Sequence, residues 1–233
     1  MLMEGTTNTI SCKNCILMCS GNKKLSAEEL EFLNKNKKEI NFNKGETILK
    51  QGSFADHVVF LHSGLVKIII EAENNKNIIL DIISPGNYIG LHTLEMGDYY
   101  PFSVVALKES SVCLIKVSVI KHYLKNNPQF NSYILKQQAS EFLYAYKKIS
   151  VIGSRNNHGR LADTLLYLNK PELSQEEVMD HVTRKDIADI ACISVESLNK
   201  ILTEMRNDLI IEVDRKKITV KNKELLKLLS VIG

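Results

Sequence analysis

The hydrophobic period changes near Asn127, and that change narrows the folds open to the chain. Upstream, from Ile40 to Val119, short runs such as "HVVFLHSG", "LVKIIIEA" and "NIILDIISPG" are rich in Ile and Val. They are cut by Gly45, Gly52, Gly64, Gly86, Gly90 and Gly97. Strand-length runs bounded by turn residues predict an antiparallel β-barrel or sandwich. Downstream, Leu135, Ala139, Phe142, Tyr146 and Ile149 step by four, three, four and three residues. That spacing is an a/d seam, which two parallel helices need in order to pack together. Strands followed by helices make the chain α+β.

Local signals refine this division. Ser26 with Glu29 three residues on is a capping-box pattern, and it opens a short helix over Leu25–Ile40 with Leu30 and Leu33 on one face. An apolar stripe also suits a helix lying on its own barrel. Ile134 and Leu143, beside the seam, are expected to face that barrel while the seam itself makes a dimer. "SVIGSRNNHG", Ser150 to Gly159, carries glycine, asparagine and serine together and predicts a hinge that ends the long helix.

Length and composition exclude little else. At 233 residues there is room for two modest domains. A net charge of +3 permits a polyanionic partner without requiring one. No apolar run is long enough to span a bilayer, and "MLMEGTTNTIS" lacks the basic start and apolar stretch of a signal peptide. The expected location is therefore the cytoplasm, with no membrane partner. In that reducing compartment, clustered cysteines are ligands or redox thiols rather than structural disulfides. "SCKNCILMCSG" sets Cys12, Cys15 and Cys19 close together. No Ser–His–Asp order, P-loop or HExxH pattern is present, so no enzyme is expected.

The most informative stretch is "VTRKDIADIACISVESLNKILTEMRNDLIIEVDRKKITVK". Ile187, Ala188, Ala191 and Ile193 supply the buried side of a short helix and sharp turn. Ser194 caps a second helix that carries Leu198, Ile201, Leu202 and Met205 inward. Val195, Glu196, Asn199 and Lys200 are left outward near its start, where a recognition helix meets base edges. Thr183 and Arg184, opening the first helix, are further candidate DNA contacts. The following ribbon is a wing with Arg215, Lys216 and Lys217 at its tip, near phosphates.

With these residues in hand, the chain resembles the Crp/Fnr family of bacterial transcription regulators over nearly its whole length. "KGETILKQG", "LHSGLVKI" and "SPGNYIGLHTL" look like the family's glycine turns, and "TRKDIADIACISVESLNKIL" is similar to its DNA reader. The resemblance implies a cyclic-nucleotide-binding-type β-roll (a jelly-roll barrel), a long dimerisation helix and a C-terminal winged helix-turn-helix. The expected organisation is a cysteine-containing segment at 1–24, a sensing β-roll at 25–126, a dimerisation helix at 127–153 and a DNA-binding domain at 154–233. It implies a homodimer on a palindromic double-stranded operator, with recognition helices about 34 Å apart, and RNA polymerase as a further partner. Glu196 stands at the family's base-reading glutamate and Lys200 at its arginine. Lysine lacks the arginine fork, which puts the half-site in doubt. Cys192 stands where glycine is usual and is strained if φ is positive there.

The same resemblance bears on the signal. Cyclic-AMP-binding members hold the ligand phosphate with a glutamate after the "IG" turn and an arginine–serine pair further on. Here Leu91 follows Gly90 and "YYPFSVVAL" has no arginine. Burying a phosphate without a cation costs several kcal/mol, so cyclic AMP is not the expected effector. The Fnr branch holds a [4Fe–4S] cluster with three N-terminal cysteines and one in the late roll, and Cys12, Cys15, Cys19 and Cys113 resemble that set. The spacing of Cys15 and Cys19 is tighter than Fnr's. Zinc, thiol redox chemistry, haem with His57, His62, His92 or Met96 as axial ligands, and no metal at all stay open. Two other readings compete with the regulator: a redox or metal-binding protein, and a small-molecule-binding regulatory module that needs no cluster.

Overall fold

A computed structural model of the 233-residue chain describes residues 12, 15, 25–72, 77–95, 98–175, 177–214 and 217–233. Helix α1 (Ala27–Lys35) starts as its capping box dictates. The Glu29 amide donates to Ser26 Oγ at 3.2 Å and the Ser26 amide donates back to Glu29 Oε2 at 2.7 Å. It is shorter than the sequence suggests, because β1 (Lys37–Phe42) claims the following residues, with Ile40 paired opposite Val112.

The strands β1, β2 (Thr47–Leu49), β3 (His57–Ser63), β4 (Val66–Ile70), β5 (Ile78–Ile83), β6 (Tyr88–Ile89), β7 (Ser103–Ala106) and β8 (Ser110–Lys116) make a roll. They form two antiparallel four-stranded sheets, ordered β1-β8-β3-β6 and β2-β7-β4-β5. Gly64, at φ +98°, turns β3 into β4; a Cβ there would meet Ser110 Oγ at 2.1 Å.

Both faces of the first sheet are buried. Val59, Leu61 and Val112 point into the roll, and the alternate residues Val58, Phe60, Cys113 and Ile115 point out against a helical layer. Alternation on two dry faces explains why these strands read as unbroken apolar runs. The covering layer is α1, α2 (Val117–Asn126) and the start of α3 (Pro128–Ser154), through Leu33, Ile120, Tyr123, Phe130 and Ile134.

Helix α3 begins where Asn127 accepts from the Gln129 and Phe130 amides (3.1 and 3.0 Å) and Pro128 occupies the first turn. It runs through Gly153 to Ser154. The hinge expected over Ser150–Gly159 shrinks to Arg155 and Asn156, because Asn156 caps the next helix, α4 (Asn157–Leu168). Two single-turn helices, α5 (Pro171–Ser174) and α6 (Val178–His181), lead to α7 (Arg184–Ala191) and α8 (Val195–Asn207). Then come the ribbon β9 (Ile211–Asp214) and β10 (Lys217–Val220), and helix α9 (Lys223–Ile232), which the sequence reading did not anticipate. Among the described residues, no helix is long and apolar enough to cross a membrane.

The C-terminal helices are not a loose appendage. Leu65, Ile69, Ile79, Ile82 and Leu107, on the outer face of the second sheet, share one core with Leu161, Leu165, Ile187, Ile190, Leu198 and Leu202. Polar contacts cross the same boundary. Tyr167 Oη donates to Asp81 Oδ1 at 2.5 Å and accepts from the Ile82 amide at 2.8 Å. Lys67 Nζ lies 2.6 Å from Asp186 Oδ1, and Lys148 Nζ donates to the Ile79 carbonyl at 2.5 Å.

Candidate DNA-reading face, helical stripe and thiol cluster

The reader is built from two caps and a turn. Thr183 Oγ1 accepts from the Asp186 amide at 3.1 Å while the Thr183 amide donates to Asp186 Oδ2 at 2.8 Å, closing a capping box at the start of α7. Cys192 ends that helix at φ 53°, ψ 46°, the left-handed conformation that favours glycine, so the strain expected there is present. Ser194 Oγ accepts from the Ser197 amide at 3.1 Å and starts α8. Leu198, Ile201, Leu202 and Met205 are buried. Ser194, Glu196, Asn199 and Lys200 are exposed, and Val195 is half-buried.

Glu196 is kept ionised. Its own backbone amide and the Ser194 hydroxyl hold the carboxyl below the usual carboxylate range. At neutral pH it is an acceptor only, which suits a base amino group. Thr183, at the start of α7, is exposed, and Arg184 is half-buried. In the ribbon, Asp214 pairs opposite Lys217. Arg215 and Lys216, expected at the tip, lie outside the described residues; Lys217 is exposed.

The stripe on α3 faces solvent. Leu135, Phe142, Tyr146 and Ile149 are each 59–68% exposed, and Ala139 between them is exposed too. Opposite lie the contacts that hold α3 to the roll: buried Phe130 and Ile134, Gln137 donating to the Tyr88 carbonyl at 2.7 Å, and Lys148. One expectation is corrected here. Leu143 does not face the barrel; it is 68% exposed, and Tyr144 takes the inner position against Tyr167, with ring centroids 5.3 Å apart. Ile134, Gln137, Tyr144 and Lys148 fall on one side of the helix, whereas Leu143, nine residues beyond Ile134, lies about 180° around it.

Three of the four predicted thiols meet in one core. Cys12, Cys15 and Cys113 are all buried, in the layer between the first sheet and the helices. Cys113 reaches it because β8 turns it outward, opposite Glu39 on β1 and Phe60 on β3. Cys19 lies outside the described residues. Burial pushes the Cys113 thiol up to about 12 and raises Cys12, partly countered by the Lys37 ammonium. Such groups stay protonated at neutral pH, and a metal would have to displace those protons. Cys15 Sγ lies 3.3 Å from His62 Nδ1, a contact the sequence did not suggest. The donor set is soft and dry, as a thiolate-bound centre requires. Among the described residues no three Cys, His, Asp or Glu groups converge on a point that holds an ion, so Cys12, Cys15 and Cys113 do not by themselves close a site.

Of the other histidines, His57 sits 2.5 Å from Asp56, and Met96 lies outside the described residues. His92 follows the Gly90 turn and stacks edge-on to Phe102 at 5.1 Å; burial lowers its pKa, and among the described residues its Nε2 has no hydrogen-bond partner. Nearby, Ser103 Oγ donates to Glu71 Oε1 at 2.5 Å and Tyr100 Oη to the His57 carbonyl at 2.6 Å. A carboxylate engaged there is a poor neighbour for a phosphate. Lys67 is paired with Asp186.

Residues 39–127 match the cyclic nucleotide-binding domain family and residues 159–229 the Crp-like helix-turn-helix domain family. The cAMP-activated global transcriptional regulator CRP of Salmonella typhimurium is 27% identical over 182 residues, 75% of this chain and 85% of that protein. The fumarate and nitrate reduction regulatory protein of Vibrio cholerae is 25% identical over 209 residues, 88% of this chain and 82% of that protein. In fold, the chain is similar to a solved crp/fnr-family transcriptional regulator from Eubacterium rectale, at TM-score 0.73 and 17% identity, covering 92% of this chain and 99% of that one.

Proposed function

The chain belongs to the Crp/Fnr family of DNA-binding transcriptional regulators, and from that premise we propose that it reads a palindromic operator as a homodimer under the control of a signal sensed at the roll and its cysteine segment. One observation carries the reading: α8 buries Leu198, Ile201, Leu202 and Met205 while Glu196, Asn199 and Lys200 stay exposed to water. Glu196 accepts from a cytosine or adenine amino group, and Lys200 donates to guanine. Thr183, Arg184, Ser194, Arg215 and Lys216 contact the backbone around them. Pairing of the Leu135–Ile149 stripe sets the two α8 helices about 34 Å apart, one turn of duplex. Work on DNA puts the protein in the cytoplasm, beside RNA polymerase.

For the signal, Cys12, Cys15, Cys113 and Cys19 are the ligand set for a [4Fe–4S] cluster. Bound there, the cluster supplies a centre sensitive to oxygen, nitric oxide or redox state. Two things support this: the buried thiol core and the fumarate and nitrate regulator among the relatives. Cyclic AMP is not the effector, since no arginine from Asp98 to Lys108 meets a phosphate and Ser103 is engaged by Glu71. Cys113 shares one buried core with Phe130 and Ile134 of α3, which gives a change at the thiols a packed route to the dimer helix.

Two measurements test these parts separately. Glu196→Ala should flatten discrimination among half-site variants by about 1–3 kcal/mol in fluorescence anisotropy; unchanged base preference removes Glu196 from the reader. Anaerobic reconstitution followed by iron and acid-labile sulfide analysis should give a coloured protein, and colourless, iron-free protein ends the cluster assignment.

A further inference from the structure

The outward face of α8 continues past the residues that read bases. Asn199, Thr203 and Arg206 recur at intervals of four and three, so they stack along one side of the helix. Together with Arg184 from the first turn of α7, Leu202, and Val213 of β9, they line an open concavity of about 360 Å³.

This notch is electrostatically incomplete. Among the described residues, Arg184 Nη1 is buried without a hydrogen-bond partner. A guanidinium offers five donors and no acceptor, so a dry, unpaired nitrogen calls for an acceptor from outside. Burial also lowers the Arg184 pKa, as expected for a charge without a counter-ion. Four carboxylates of α7, α8 and β9 are engaged elsewhere. Asp186 pairs with Lys67, Asp189 with Lys185, Glu204 with His158 and Glu212 with Lys221. Arg206 is exposed in the last turn of α8, where the helix dipole favours a cation, and among the described residues its guanidinium has no acceptor. Two guanidinium groups from different helices thus line one concavity, with the missing component an anion.

We propose that this notch clamps a phosphodiester of the DNA backbone, with Arg184 and Arg206 supplying the charge and thereby fixing the register of α8 in the groove. The inference rests on the DNA-reading assignment of α8. Its own support is continuity: Asn199 belongs both to the notch and to the base-reading face, so an oxyanion held here lies beside the strand that face reads. Arg206 is the new element. It adds a sequence-independent contact, which strengthens all duplexes alike.

The test is the salt dependence of binding by the full chain to an operator-like and a scrambled duplex, comparing wild type with Arg206→Gln. Among the described residues Arg206 makes no side-chain hydrogen bond, so the variant should keep the wild-type melting curve. Losing one phosphate contact lowers the slope of log K against log salt by about 0.9, which corresponds to roughly eightfold weaker binding at 0.1 M salt, equally for both duplexes. An unchanged slope, or a loss confined to one sequence, overturns the notch while leaving the reader intact. Wild-type protein with no salt-dependent DNA affinity overturns both. Calorimetric titration with inorganic phosphate provides the other arm. Micromolar phosphate binding that Arg206→Gln abolishes, with the DNA slope unmoved, would assign the notch to a free anion and refute the backbone clamp.

Discussion

Lys67 and Asp186 lie 119 residues apart in sequence, and their contact is a polar link between the roll and α7. Lys67 Nζ is 2.6 Å from Asp186 Oδ1, with the side chains only 19% and 7% exposed. Replacing Lys67 by Met keeps the aliphatic stem and removes the charge. Breaking a buried pair from one side costs about 3–5 kcal/mol, because the surviving ion stays dry. Here Asp186 Oδ2 still accepts from the Thr183 amide and hydroxyl at 2.8 and 2.7 Å, which places the loss at the lower end, about 3 kcal/mol. For a chain of this size that lowers the melting temperature by about 6–12 °C.

The pH dependence adds a second check. Burial pushes the Asp186 carboxyl up, but the Lys67 hydrogen bond and the Thr183 amide and hydroxyl more than offset it, leaving its pKa below the usual carboxylate value. Stability from a depressed carboxylate is present above its unfolded pKa of about 3.9 and is lost as pH falls through the folded value. In Lys67→Met the burial penalty is no longer offset by a cation, so Asp186 neutralises at higher pH. The gap between wild type and variant should be full at pH 7 and narrow as pH drops towards 4. Calorimetric melts of both proteins across that range measure it. A shift below about 2 °C at pH 7 would mean that Lys67 and Asp186 are solvated and that roll and reader do not meet there.

Two other expectations concern different surfaces. Phe142 is 60% exposed, so Phe142→Glu should leave a single chain folded; if the stripe is the dimer seam, losing its burial costs about 2 kcal/mol per copy, and sedimentation should show a dimer at least a hundredfold weaker. An intact dimer would place the interface elsewhere. Asp81 differs in sign from Asp186: burial raises its pKa despite the Tyr167 hydrogen bond, so its contribution is full below the unfolded value near 3.9 and is lost as pH rises through the folded one. Asp81→Asn keeps an acceptor for Tyr167, and urea unfolding should find it at least as stable as wild type at pH 7, with the advantage gone at pH 4; a variant weaker at both pH values would refute the buried, protonation-prone environment.

Local pattern was enough for several helix starts. Ser26 with Glu29, Asn127 before Pro128, and Ser194 before Val195 are caps whose partners lie within three residues, so short-range hydrogen bonding specifies them. The glycine-cut Ile and Val runs determined the roll, and the outward residues of α8 determined the reader, because the period of burial is written directly into the side-chain order. Local pattern misled where a distant group decided. Asparagine and glycine after Ser150 suggested a hinge, yet α3 continues to Ser154. Leu143 stands beside the seam in sequence, yet the helical spacing from buried Ile134 carries Tyr144 to the inner side, where Tyr167 meets it.

Tertiary structure alone decided which buried face meets which. β8 is apolar on both sides, so nothing in its sequence states that Cys113 turns outward to the helical layer, where Cys12, Cys15 and His62 wait. Nothing local predicts that β4 supplies a counter-ion for α7, or that Arg184 and Arg206 share a notch. Secondary structure is set by neighbours a few residues apart. The joining of faces is set by which distant surfaces exclude water together, and by which charges have to find a partner when they do.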